Sequence, residues 1–134
     1  MTVDERERVW RRLLADVDPA SFTLVAVGAD DVVEGFCSVS APSRDEDAGE
    51  RTAEVAATYV DPGCWRRSVG SALLGAASAE LARAGWTEAT LWVFAANERA
   101  RSFYGRLGFE SDGATKRHEA SGRELIRMWA ALAA

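Results

Sequence analysis

An α/β domain built on a sheet of mixed strand direction is what this sequence predicts, and three observations lead there. Two β-branched and aromatic runs flank a Gly-Asp turn near the N-terminus, the pattern of an antiparallel hairpin. A strand, a helix and a second strand then follow in the order of a parallel crossover. Two further short strands close the chain around a polar turn. No internal repeat and no long linker interrupts this order, so residues 1–134 are expected to form one domain.

Each element has its own signals. Thr2 followed by Glu5 reads as a capping box, and Val9, Trp10, Leu13, Leu14 and Val17 recur at helical spacing, so a helix is expected over Asp4–Ala15 and closed by Pro19. Phe22–Val27 and Val32–Val39 are the hairpin strands around Gly28-Ala29-Asp30-Asp31, and an acidic loop, Ala41–Glu50, follows them. Glu54–Val60 is the next strand, ended by Asp61-Pro62-Gly63. Val69–Ala84 is a helix whose buried stripe is Val69, Leu73, Ala77, Leu81 and Ala84, with Gly85 as its stop. Ala89–Phe94 is apolar enough to be a strand buried on both faces. Asn97 caps a short helix that turns Ala100, Phe103, Tyr104 and Leu107 inward before Gly108. The last strands lie near Phe109–Ala114 and Glu124–Trp129, either side of Ser121-Gly122.

Composition narrows the function classes. With 48% hydrophobic and 28% charged residues the chain can build a core, which argues against disorder over most of its length. A net charge of −5 lacks the basicity of a nucleic-acid binder. No run approaches the roughly 18–20 apolar residues that span a bilayer. Asp4, Glu5 and Glu7 among arginines do not have the layout of a signal peptide, so a cytoplasmic protein is expected. Cys37 and Cys64 have no metal-ligand spacing and His118 is the only histidine, so no metal is expected and the cysteines read as small packed thiols.

The chemistry concentrates in two adjacent pieces. From Tyr59 to Leu74 a strand ends, turns and enters a helix past Ser68, Gly70 and Ser71, with Arg66 and Arg67 beside the turn. Small residues let a ligand approach the backbone, and a helix N-terminus presents unpaired N–H groups and the positive end of the helix dipole. That is an anion site, or equally a tight strand-to-helix connection. The second piece runs from Asn97 to Phe109. Together they resemble the GCN5-related N-acetyltransferase (GNAT) superfamily. Val60, Pro62 and Gly70 match its first signature, while Asn97, Ala100, Phe103, Tyr104, Gly108 and Phe109 match its second. Trp65 and Ser68 depart from the first, at its Gln/Arg position and its first glycine.

The resemblance implies a GNAT-type mixed sheet with flanking helices, here without the strand and helix that usually open it, and transfer of an acetyl group from acetyl-CoA to a primary amine in a ternary complex. Acetyl-CoA would set its pyrophosphate on Arg66, Arg67, Ser68, Val69, Gly70 and Ser71. Its pantetheine arm would lie along Tyr59 and Val60 and against Asn97, in a gap between splayed strands. Tyr104 would protonate the leaving thiolate, and Glu54 is the candidate general base, sharing a strand face with Ala56, Thr58 and Val60 by simple alternation. The same cradle would also serve a non-catalytic acyl-CoA-binding or regulatory module. Without a strand ahead of it, Phe22–Val27 would be an uncharged open edge, so a second copy of the chain, in a symmetric homodimer, is expected to cover it.

Overall fold

The computed structural model describes residues 8–13, 20–28, 31–64 and 68–132. Along the chain run β1 (Arg8–Leu13), β2 (Phe22–Val27), β3 (Val33–Ser40), β4 (Thr52–Val60), a short 3₁₀ turn (Pro62–Cys64), α1 (Val69–Arg83), β5 (Glu88–Phe94), α2 (Glu98–Arg106), β6 (Glu110–Arg117) and β7 (Glu124–Ala131). The strands form one seven-stranded sheet in the order β1-β2-β3-β4-β5-β7-β6. Only β4 and β5 pair in parallel; every other neighbour is antiparallel.

One face of the sheet carries the core. Phe22, Leu24 and Ala26 of β2 pair with Val39, Cys37 and Gly35 of β3, and all are buried. Val55, Leu91 and Met128 continue that face across β4, β5 and β7. Against it lies α1, whose Val69, Leu73, Leu74, Ala77 and Leu81 are buried. Ala84, expected inside, is instead the exposed C-terminal cap. Close approach of helix and sheet requires Gly35: a Cβ there would meet the Tyr59 carbonyl oxygen at 2.5 Å and Leu73 Cδ1 at 3.3 Å.

The N-terminal expectation is corrected. Arg8–Leu13 is a strand, not part of a helix, and pairs with β2 from Arg8↔Val27 to Leu13↔Phe22. Helical spacing of apolar residues lost here to an available sheet edge, whose N–H and C=O groups gain partners from β1. The β2 edge is therefore covered within the chain, and the argument for a second copy at that edge falls away. The other helical residues proposed before Arg8 and after Leu13 lie outside the described residues.

Candidate acetyl-transfer site

The site begins with a defect in β4. Ser38 of β3 pairs with Ala57 and the next residue, Val39, pairs with Val55, so Ala56 is an extra residue in β4. Such a bulge bends its strand and raises its twist. On the other side, β4 pairs with β5 only over Thr52–Val55 against Glu88–Leu91. Beyond the bulge the two parallel strands separate, and the β4 backbone edge facing β5 carries no ladder partner. The bulge also rephases the side chains. Glu54 pairs with Ser40, Ala57 with Ser38 and Tyr59 with Phe36, which places them on one face; Val55, Thr58 and Val60 share the other. Glu54 thus does not share a face with Thr58 and Val60, as unbroken alternation would have it.

On the α1 side of this split is a cleft of about 660 Å³. Thr58 and Val60 form its β4 wall. The start of α1 contributes Ser68, Val69, Gly70 and Ser71, and α2 contributes Asn97, Phe103 and Tyr104. Seven of the residues picked from sequence therefore meet in one place: Val60, Ser68, Val69, Gly70, Ser71, Asn97 and Tyr104. Tyr59 does not; its ring turns to the opposite face, 6.0 Å from that of Phe36. Arg66 and Arg67, with Trp65, lie outside the described residues.

Local chemistry explains how these residues are held. Ser68 is the N-cap of α1 with φ 65° and ψ 15°, a left-handed conformation, and its side chain makes no capping bond. A glycine would hold this geometry without steric cost. Gly70 is needed for packing as well as access: a Cβ there would lie 2.9 Å from Phe103 Cζ. The first N–H groups of α1 have no partner inside the helix, so they point an anion-binding end at the cleft. Asn97 caps α2, its Oδ1 accepting from the Ala100 N–H at 3.0 Å. Tyr104 packs edge-on to Phe103 and Phe109. Burial raises its pKa above that of a free phenol, a hydrogen bond with Thr58 opposes the rise, and Cys37 adds to it. The phenol therefore stays protonated and can give a proton. Cys37 itself is pushed up to about 11 by burial, with Thr58 opposing, so it is an inert packed thiol. Cys64 lines the cleft and is buried.

The opposite face is built from charge. Glu54 is 3% exposed, and Arg44 occupies both its oxygens. Oε1 accepts from the Arg44 backbone N–H at 3.0 Å and from Nε at 3.1 Å, while Oε2 accepts from Nη2 at 3.0 Å. Burial pushes the Glu54 carboxyl up, but the hydrogen bonds and charge of Arg44, with Lys116 further off, outweigh it and hold it below the usual carboxylate range. Through these bonds Glu54 ties Arg44, and with it the 41–50 loop, to β4. That loop is tied to the sheet by two of its carboxylates, although Arg44, Glu46 and Asp47 are exposed. Asp45 Oδ1 accepts from Trp92 Nε1 at 3.0 Å, and Asp47 takes both Nη atoms of Arg127 at 2.7 and 2.8 Å. Arg127 Nε also donates to Asp112 at 2.6 Å. His118 is half-buried and packs edge-on to Phe94, ring centroids 5.3 Å apart, and its Nδ1 accepts from the Ser121 N–H at 3.3 Å.

Residues missed from sequence are Thr58, Trp92 as a site residue, and Arg127. Thr58 was legible in principle, since it lies on the strand leading into the first signature. The other two depend on the bulge and on the folded path of the loop, for which no local signal exists.

Both the sequence and the fold resemble those of known proteins. The family model described as "Acetyltransferase (GNAT) family" matches residues 2–109. The fold superposes on nourseothricin acetyltransferase with a TM-score of 0.79 at 20% identity, covering 96% of this chain and 99% of that one. The ribosomal-protein-S18-alanine N-acetyltransferase from Escherichia coli gives 0.74 at 17% identity, over 96% and 95% of the two chains. PaiA N-acetyltransferase from Thermoplasma acidophilum, solved in complex with coenzyme A, gives 0.60 at 23% identity, over 78% and 58%. No curated protein matches significantly. With the family model spanning most of its length, its two signatures facing one cleft and the sheet of the family around them, the chain belongs to the GNAT acetyltransferase family.

Proposed function

We propose that the chain transfers an acetyl group from acetyl-CoA directly to an amine, both bound at once, with no covalent enzyme intermediate. One observation carries this reading: the β4–β5 split opens between the Tyr104 cleft on one face and the Trp92–Glu54 face on the other, giving thioester and amine separate approaches to one point. The cleft fits the cofactor. The α1 N-terminus, with its small residues, suits the pyrophosphate, and Arg66 and Arg67 precede it in sequence. The unpaired β4 edge beyond Ala56 suits the amide groups of a pantetheine arm.

Tyr104 supplies the proton for the departing thiolate, and Thr58 orients its hydroxyl. Transfer by this route needs little else beyond placement, because orientation of two bound reactants lowers the barrier substantially. Glu54 acts as the anchor of the 41–50 loop rather than as the base, and the amine proton leaves through water. Calorimetry with acetyl-CoA, followed by a CoA-release assay on a panel of amines, tests the proposal. Binding with release on at least one amine is expected. Binding without release on any amine would support the non-catalytic acyl-CoA-binding module instead.

A further inference from the structure

Lys116 is the only lysine in the chain. It stands on the exposed edge strand β6, on the face opposite the α1–α2 cleft, and its Nζ lies 4.2 Å from the centroid of the Trp92 ring. Trp92 is the first residue of β5 beyond the last β4–β5 pair, Val55↔Leu91, so its ring sits at the mouth of the split. The indole is fixed there by its hydrogen bond to Asp45, with the Arg127 guanidinium 5.5 Å away. Lys116 is close enough to Glu54 for its charge to act on that carboxylate. Among the described residues it enters no ion pair that would hold it elsewhere. A primary amine is therefore stacked on an aromatic ring where an acceptor amine would approach, and such stacking is weak enough for the side chain to leave it.

We infer that Lys116 is itself an acetyl acceptor of this site, so that the chain acetylates its only lysine. The inference rests on the transfer reading above. Nζ leaves the ring and gives one proton to water, and the neutral amine then attacks the thioester carbonyl carbon; a C–N bond forms and the C–S bond breaks. The surplus proton on nitrogen passes to water, the thiolate takes the Tyr104 hydroxyl proton, and solvent reprotonates the phenolate. The product is Nε-acetyllysine and free CoA. It carries no charge, so the cation over Trp92 is lost.

The test uses the folded protein and acetyl-CoA alone. Intact mass with peptide mapping should show one acetyl group, on Lys116, added with a first-order constant independent of protein concentration. Lys116→Arg keeps a cation over Trp92 and should take no acetyl group. Tyr104→Phe should slow the addition at least about tenfold. Equal rates in wild type, Tyr104→Phe and urea-unfolded protein would reduce it to uncatalysed chemistry and overturn the inference, as would a rate constant proportional to protein concentration. CoA release on a free amine with Lys116 unmodified overturns this inference and leaves the transfer reading standing. Failure to bind acetyl-CoA by calorimetry overturns both.

Discussion

The two faces of β4 beyond its bulge are made of different materials. Toward α1 and α2 the cleft is walled by hydroxyls, small residues, aromatic rings and the ends of two helices. Toward the loop the surface is a lattice of ion pairs in which Arg127 alone meets Asp45, Asp47 and Asp112. The first face offers backbone groups and a helix dipole, which recognise a phosphate-bearing cofactor whatever the acceptor is. The second offers specific charges in fixed positions, which can distinguish one amine from another. Under the transfer mechanism proposed above, this difference would give cofactor binding to one side and acceptor choice to the other, with Tyr104 on the cofactor side.

The largest expected effect tests that meeting point. Tyr104→Phe keeps the ring contacts with Phe103 and Phe109 and removes only the proton donor. Turnover should fall about 10²-fold, the usual size of a general-acid effect, with the acetyl-CoA dissociation constant nearly unchanged. Steady-state kinetics and calorimetry on the same preparation check this. Unchanged turnover would make Tyr104 a packing residue.

Breaking the charged face should cost stability instead. Arg44→Ala strands a carboxylate that is 3% exposed, although Arg44 itself is 65% exposed. The expected loss, about 1–3 kcal/mol, therefore lies between that of an exposed and that of a buried pair. Glu54→Gln gives the pH test. Because the folded pKa of Glu54 lies below its ordinary value, its contribution is fully present above the ordinary carboxylate range and is lost as pH falls through the folded value. Urea midpoints should thus drop more for wild type than for Glu54→Gln between neutral pH and the range below pKa ~4. Parallel curves would remove the anchor role.

The same contrast explains what could be read from sequence. The α1–α2 cleft comes from two short stretches of sequence, so Ser68, Gly70, Ser71, Asn97 and Tyr104 announced themselves by local spacing and cap chemistry. The opposite, charged face is joined across long separations: Trp92 to Asp45 spans 47 residues and Arg127 to Asp47 spans 80. A single extra residue, Ala56, moved Glu54 and Thr58 to opposite faces, and alternation alone does not reveal a bulge. β1 failed for a related reason: its partner edge, not its own periodicity, decided its structure.

A smaller effect sharpens the cofactor side. Gly70→Asp is a poor probe, because its Cβ would press on Phe103 and disturb α2 whether or not a phosphate binds. Ser71 is exposed and lines the cleft, so Ser71→Glu adds negative charge to the α1 N-terminus without that clash. Acetyl-CoA binding should weaken by about tenfold or more, roughly 1.4 kcal/mol, with an unfolding midpoint that is no lower, since a carboxylate suits the first turn of a helix. Full affinity would move the pyrophosphate away from α1.

The smallest expected effect concerns the one departure from the family signature that the structure describes. Ser68 stands where the signature has glycine, yet its backbone adopts the left-handed geometry, φ 65°, that glycine accommodates. A non-glycine residue there costs about 1–2 kcal/mol. Ser68→Gly removes that strain but frees the unfolded chain, which returns about 0.4–1 kcal/mol. The serine hydroxyl caps nothing in α1, so no hydrogen bond is lost with it. A net gain of about 0.5 kcal/mol follows from the difference, worth about 1–3 °C in Tm for a chain of this size. Thermal unfolding without ligand measures that gain, and calorimetry shows whether the hydroxyl has a second use. A variant that is more stable and binds acetyl-CoA equally well makes Ser68 a tolerated departure. One that is more stable but binds more weakly would show that the hydroxyl donates to the cofactor and that the strain is kept for binding.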